Sequence, residues 1–479
     1  MKPYIVLRYV AVSLLLNSFF LLVSAVISAI NSDSAFFPLS YSFLIALLFG
    51  VFPLIFIPRQ RTISQKEGLM IVVYSWLLSC FLGLTPYVLW GGDFTFTNAW
   101  FESVSGYTTT GSSILGDIEG LPLGLLFWRS ATHWIGGIGI IIFALAVLPP
   151  MGISGMILYR SEISDQALYD FHFSARKSVQ ILLKIYVGLT VLETLALLAC
   201  GMSLFDAVTT AFGTVATGGF SVRNMSVAHY HSIAVEMVVI LFMVLSGIHF
   251  GLLFSAVRGK MGGIWKSPIV LFYIFSLLAG ISLTTLSVRG ENYLDWMEAL
   301  RYAAFQVISI GTSTGFATTD SSIWPPFAQL VLIYFTLQCA CAGSTSGGIK
   351  VDRIVLFLKS IVRRIRQVKH PKAVFAIKLR GSAVDESVID LSLLYLSLYM
   401  VVVFLSAVAL TSFGVDALSA FSGSAATMGN VGPGFGSVGS VSNFAHIPPV
   451  GKWVLSVTML LGRLEIYGLL VCLIPRYLR

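Results

Sequence analysis

Ten stretches of this chain are long and apolar enough to cross a lipid bilayer, and they restrict the fold more than any other feature. They run at approximately 9–30, 37–57, 69–90, 124–148, 178–200, 231–256, 269–288, 325–358, 389–411 and 448–474. A helix needs roughly 20 residues to cross the hydrocarbon, so several runs are longer than one crossing, 325–358 above all, and tilt or interruption is expected there. A backbone in lipid must satisfy its own hydrogen bonds, which leaves helices or closed barrels. Transmembrane strands are shorter and alternate in polarity, and these runs do not. Only 11% of the 479 residues are charged and the mean hydropathy is +0.87. That excludes a water-soluble globule, in which about a quarter would be charged. The expected fold is an all-α polytopic membrane protein.

The connections sort by charge. Lys2 and Arg8, then Arg59, Arg61 and Lys66, then Arg160, Arg176 and Lys177, then Arg258, Lys260 and Lys266 occupy alternate connections. Loop 359–388 carries Lys359, Arg363, Arg364, Arg366, Lys369, Lys372, Lys378 and Arg380, and the tail carries Arg476 and Arg479. With ten spans all of these fall on one side, so the positive-inside rule makes both termini cytoplasmic. The other connections hold Asp33, Asp93, Glu102, Asp117, Glu119, Asp206, Glu291, Asp295, Glu298, Asp320 and Asp416. The net charge of +8 therefore reflects topology and does not point to nucleic acid. The opening run after Lys2 and Arg8 is too long for a cleavable signal peptide and reads as a retained signal anchor. Cys80, Cys200, Cys339, Cys341 and Cys472 lie in or beside apolar runs without metal-ligand spacing and read as small membrane hydrophobes.

Four outward connections, near 91–123, 201–230, 289–324 and 412–447, are semi-apolar with a Gly/Thr/Ser cluster at the middle. Each is too short for two more spans and too apolar for an exposed loop, which suits a re-entrant half-helix returning through an irregular segment. Aligned on a central glycine, they read Tyr107-Thr108-Thr109-Thr110-Gly111-Ser112, Thr214-Val215-Ala216-Thr217-Gly218-Gly219, Gly311-Thr312-Ser313-Thr314-Gly315-Phe316 and Met428-Gly429-Asn430-Val431-Gly432-Pro433. The glycines are 107, 97 and 117 residues apart, each after a stretch suited to a pore helix (98–107, 205–215, 302–311, 419–428). Four such units of span, half-helix, glycine segment and span imply a four-fold pseudosymmetric bundle. The expected divisions are a leading two-helix extension at 1–66 and units at 67–177, 178–264, 265–388 and 389–479.

A dehydrated cation needs oxygens in place of water, and extended backbone supplies carbonyls aimed at one axis. Glycine permits the φ/ψ values and close approach this takes, and a β-branched Thr or Val before it favours extension. A half-helix with its C-terminal end inward adds partial negative charge. No ring of carboxylates aligns at the four positions, which favours a monovalent cation over calcium. A single such cluster would read as a helix-packing glycine; four in register read as a filter.

The span–pore loop–span unit with T-x-G segments resembles the Trk/Ktr/HKT superfamily of potassium transporters, and the two leading spans make it most similar to the TrkH/TrkG branch, over essentially the whole chain. The resemblance implies potassium as the transported ion, with no cofactor, bound by Thr109, Thr110, Gly111, Ala216, Thr217, Gly218, Ser313, Thr314, Gly315, Asn430, Val431 and Gly432. It also implies a bacterial inner-membrane location, a homodimer and a cytosolic nucleotide-binding regulatory subunit. The chain itself has no Gly-x-x-x-x-Gly-Lys-Ser/Thr motif for nucleotide. The fourth segment departs from the pattern in Pro433, which would distort one quarter of the ring.

The eighth run is interrupted by Gly343-Ser344-Thr345-Ser346-Gly347-Gly348, with Lys350 and Asp352 following. Small residues and glycines break a helix there, as a kink or as a loop between half-helices; the resemblance implies an intramembrane gate. Arg463 lies in the last span, where an arginine turns to a partner or to the pore. Glu465 offers the partner, and the resemblance implies a barrier to cations in the pore. Arg129 and His133, four residues apart, and His249 read as structural, with proton coupling as the alternative. Potassium symport with protons or sodium is the competing function. A membrane enzyme would need a nucleophile–base or metal-ligand set, which His133, His249 and the scattered acids do not supply.

Overall fold

A computed structural model describes residues 3–58, 65–146, 175–259, 262–379, 382–466 and 468–469. Lys2, Arg59, Arg61, Arg160, Lys260, Arg380, Arg476, Arg479 and Cys472 lie outside the described residues. The leading helices α1 (Pro3–Ile30) and α2 (Phe36–Phe56) form a hairpin. The first unit has α3 (Gln65–Gly83), its continuation α4 (Thr85–Trp90), pore helix α5 (Phe96–Tyr107) and inner helix α6 (Leu123–Ala146). The second has α7 (Ala175–Ala199), pore helix α8 (Leu204–Val215) and inner helices α9 (Ile233–Ser246) and α10 (Phe250–Val257). The third has α11 (Pro268–Val288), pore helix α12 (Trp296–Gly311), α13 (Pro326–Leu337) and α14 (Val351–Lys369). The fourth has α15 (Glu386–Ser412), pore helix α16 (Ala417–Gly429) and α17 (Pro449–Arg463).

Among the described residues six helices have the length and composition to cross a bilayer, or seven if the bent pair α9–α10 is one span. Their outer faces carry exposed Leu48, Phe49, Phe52, Phe275, Leu278, Phe404 and Leu405, a surface that suits lipid chains and not water.

Three of the expected spans are not continuous helices. Run 231–256 bends by 106° between α9 and α10. Run 325–358 divides into α13 and α14 around an irregular loop. In run 448–474 the helix stops at Arg463, and Glu465 and Ile466 follow with φ of +53° and +40°. The first break has an identifiable cause: its freed backbone groups are taken up by the third unit. Cys341 N–H donates to Gly247 O at 3.1 Å and Phe250 N–H to Gly343 O at 3.1 Å. His249 caps α10 by accepting the Gly251 N–H at its Nδ1 (3.0 Å).

Each pore helix starts at a side-chain cap, on Thr95, Ser203, Asp295 and Asp416. These residue types satisfy N–H groups that the first helical turn leaves unpaired. Helix α12 is 16 residues long where α5 and α8 are 12; the surplus is about one turn, which keeps the same face inward. Hydrogen bonds from Ser419, its N–H first, hold the Asp416 carboxyl below the ordinary carboxylate range. A lowered carboxylate stabilises above its unfolded pKa, so this cap persists at neutral pH and is lost as pH falls through the lowered value.

The leading hairpin is joined to the first unit by buried polar contacts. Tyr107 Oη donates to Asn17 Oδ1 at 2.6 Å, and Asn17 Nδ2 donates to Ser79 Oγ at 2.9 Å. Asn17→Leu leaves the Tyr107 hydroxyl without that acceptor. It should destabilise the protein by about 1–3 kcal/mol, read as a lowered midpoint for thermal unfolding in detergent.

Candidate functional site

All four pore helices end in the same way. Thr109, Thr217, Ser313 and Asn430 take left-handed φ values of 51°, 55°, 57° and 52°. Each donates to the carbonyl three residues back: Gly106 (3.0 Å), Thr214 (3.0 Å), Ile310 (2.9 Å) and Thr427 (3.3 Å). The following residues, Thr110, Gly218, Thr314 and Val431, donate to the carbonyl five back: Ser105, Gly213, Ser309 and Ala426, at 2.8 to 2.9 Å. This is the Schellman pattern, which usually places glycine at the left-handed position. For threonine that conformation is a strained exception.

One residue further on, Gly111, Gly219, Gly315 and Gly432 have φ of +86°, +79°, +81° and +98°. The repeat in space is therefore Thr109–Gly111, Thr217–Gly219, Ser313–Gly315 and Asn430–Gly432. This corrects the sequence alignment in the second unit, where Gly218 had been matched to Gly111. Gly219 takes that place, and Gly218 corresponds to Thr110, Thr314 and Val431. Ala216 becomes the C-cap of α8, ahead of the segment.

The four segments close on one another. A Cβ placed on Gly111 would lie 2.2 Å from Gly218 O, on Gly219 2.0 Å from Thr314 O, on Gly315 2.1 Å from Val431 O, and on Gly432 2.6 Å from Thr110 O. Each glycine thus abuts the carbonyl of the next unit, in order one to four and back to one. Ser112 Oγ reinforces the last junction by donating to Gly432 O at 2.9 Å. Pro433 Cδ lies 3.0 Å from the Cβ position of Gly315, and the fourth segment still takes its place in the ring, with the widest of the four approaches.

The Gly-rich loop lies against this ring. Its base is closed by Cys339 N–H to Ile349 O (3.0 Å) and Val351 N–H to Ala340 O (3.1 Å). Thr345 Oγ1 donates to Val215 O at 3.0 Å, at the end of pore helix two. Ser313 Oγ donates to Ser346 Oγ (3.0 Å) and accepts the Gly347 N–H (2.9 Å). A Cβ on Gly347 would meet Gly429 O at 2.4 Å, so only glycine lets the loop come so close to unit four. Gly348 has φ +61° and Gly343 φ +73°, the latter packed on the His249 ring. Lys350 Nζ donates to Ser346 O, and Asp352 Oδ1 accepts the Ala342 N–H (3.1 Å), so both residues fasten the loop from the segment that follows it. Ser344 Oγ donates to Cys341 O at 2.7 Å.

Arg463 completes the contacts. Its guanidinium donates to Thr345 O of the loop (2.8 Å) and to Gly136 O of the first unit (3.2 Å), and it is 1% exposed. The Arg463–Glu465 pair considered from sequence does not form: Glu465 binds Arg353 at 2.9 Å. Among the described residues no carboxylate pairs with Arg463. Glu465 is turned away because the helix ends at Arg463, a break that the apolar run did not signal.

Arg129 and His133 hold backbone near the ring, as the structural reading expected. Sequence reasoning missed Glu102 and Gln306, which stand at matching places on pore helices one and three. Glu102 accepts the Ile114 N–H (3.0 Å) and Gln306 Oε1 the Thr318 N–H (3.4 Å). The matching offsets of 102 and 306 from Gly111 and Gly315 were the available signal. Among the described residues no His/Cys/Asp/Glu cluster suits a metal ion, and Cys80, Cys200 and Cys339 are free thiols.

Residues 42–476 match the family model TrkH, a cation transport protein. The chain is 36% identical to the Trk system potassium uptake protein TrkH of Salmonella typhimurium, over 98% of each chain. It is 31% identical to the Trk system potassium uptake protein TrkG of Escherichia coli, over 85% of this chain and 84% of that one. A crystal structure of the potassium transporter TrkH from Vibrio parahaemolyticus superposes with a TM-score of 0.90 at 33% identity, covering 100% of both chains. The ring of four pore segments and the likeness along the full length lead to one assignment: the chain belongs to the TrkH family of cation transport proteins, a family of membrane transporters and not of enzymes.

Proposed function

We propose that this protein takes up potassium across the bacterial inner membrane, through a filter formed by the four pore segments. The closed ring, in which each positive-φ glycine abuts the next unit's carbonyl, is the observation that carries this reading. It collects neutral oxygens from four extended segments, as a dehydrated monovalent cation requires. The relatives named as potassium uptake proteins support the choice of ion. On this reading the binding residues are Thr109, Thr110 and Gly111, Thr217, Gly218 and Gly219, Ser313, Thr314 and Gly315, and Asn430, Val431 and Gly432.

The loop Gly343–Gly348, fastened by Lys350 and Arg463, is the gate. Its contacts with units two, three and four, and through Arg463 with unit one, support that role. A guanidinium with no carboxylate partner among the described residues, placed beneath a cation filter, also repels the ion it must pass. Both termini face the cytoplasm, on the side that collects Lys and Arg. There the exposed Arg364, Arg366, Lys369 and Lys372 supply a basic surface for a cytosolic nucleotide-binding regulatory subunit. The working form is a homodimer.

Cation flux into proteoliposomes tests the filter. Wild type should prefer potassium over sodium, and Gly315→Ser should lose most of that preference. Flux that ignores this substitution, or that needs an imposed proton gradient, would instead favour potassium symport coupled to protons or sodium.

The register in unit two is checked in the same assay. Gly219→Ala puts a methyl 2.0 Å from a backbone carbonyl at positive φ, whereas Gly218→Ala presses on the His133 side chain at 2.6 Å. The first substitution should reduce selective uptake more than the second. Arg463→Gln removes the charge and weakens the loop's attachment. It should raise potassium flux by about ten-fold or more with selectivity retained, measured as rubidium-86 uptake.

A further inference from the structure

Two residues of α6 link the first filter segment to the second from behind. His133 uses both ring nitrogens: Nδ1 lies 2.8 Å from Gly106 O, and Nε2 accepts the Phe220 N–H at 3.1 Å. A carbonyl only accepts and a backbone N–H only donates, so the imidazole is the neutral Nδ1–H tautomer. Gly106 O is also the acceptor for Thr109 N–H in the turn that starts filter one, and Phe220 directly follows Gly219 of filter two. The ring itself backs Gly218, whose Cβ position lies 2.6 Å from it.

Arg129, one turn earlier, makes the parallel connection. Its Nε donates to Glu102 Oε1 at 2.6 Å, with both side chains at most 2% exposed. Nη1 donates to Ser221 O at 2.8 Å, and the guanidinium lies 3.7 Å from the Phe220 ring centroid. Glu102 also accepts from Ser113 Oγ (2.9 Å) and from the Ile114 N–H, on the strand leaving filter one. A buried pair of this kind, with its lone pairs and protons taken up by backbone, confers position more than stability. In unit three Gln306 serves its own strand with an uncharged amide, to Thr318 N and Thr319 O, both at 3.4 Å.

We infer that His133 and Arg129 are positioning residues of the permeation path: they lock filter segment two to filter segment one and thereby set the ion preference of the ring. Neither touches the ion. The inference rests on the filter reading above, and the experiment separates the two. Potassium and sodium uptake is measured in proteoliposomes for His133→Phe, which keeps a ring and loses both hydrogen bonds, and for His133→Gln, which keeps one donor and one acceptor. Gly315→Ser runs in parallel.

His133→Phe should elute as wild type in size exclusion yet prefer potassium over sodium about ten-fold less, the worth of one orphaned buried hydrogen bond. His133→Gln should recover most of the preference. Wild-type discrimination in His133→Phe, alongside its loss in Gly315→Ser, overturns the inference and leaves the filter standing. Undiminished discrimination in both removes the filter reading and the inference with it. Should His133→Phe fail to assemble, Arg129→Lys is read in its place, since it keeps the charge and loses the fork that reaches both Glu102 and Ser221. Reduced preference there supports the inference, and unchanged preference refutes it.

Discussion

A chain that turns back at membrane depth has no water to satisfy its exposed peptide groups, and the molecule is organised around that constraint. The four pore helices stop where the chain reverses, so their last carbonyls need donors. The Schellman turns at Thr109, Thr217, Ser313 and Asn430 supply them from the next two residues. Holding Thr109 and Thr217 in the left-handed region costs on the order of 1–3 kcal/mol at each. Thr217 offsets part of this through Oγ1 to Ala216 O (2.6 Å), and Asn430 through Nδ2 to Thr110 Oγ1 and Met459 O, both 3.0 Å. Once those turns are fixed, the next glycines must pass beside the neighbouring carbonyls, and the ring closes.

The same constraint governs the inner helices. Three of the four break, after Ser246, Leu337 and Arg463, and their orphaned groups satisfy one another instead of water. The excursion from unit three fills the break in unit two, and Arg463 reaches from unit four to the loop and to unit one. Such mutual satisfaction makes the loop a two-sided element. Hydrogen bonds to Gly247, Val215 and Ser313 hold it in one place. Packing with no room for a methyl at Gly347 keeps the loop against the ring.

Much of this was legible in the chain. Spans and the four-fold unit follow from local features: run length and a Gly/Thr cluster. The caps Thr95, Ser203 and Asp416 each precede their ring glycine by sixteen residues. That count would have chosen Gly219 over Gly218, where alignment on Thr-Gly alone could not. The Gly343–Gly348 interruption was likewise visible, because glycines in an apolar run have no other use for the backbone they free.

The sequence by itself determined that the chain lies in a membrane, that it is built from four re-entrant units, and that small residues interrupt the eighth span. Each is set by interactions within some twenty neighbouring residues. Only the tertiary structure decided which glycine faces which carbonyl, that Glu465 goes to Arg353 and leaves Arg463 to the loop, and that His133, already on Gly106, reaches Phe220 87 residues further along the chain. Those outcomes depend on partners distant in sequence, and a buried hydrogen-bonding group takes whichever partner the packing brings within about 3 Å.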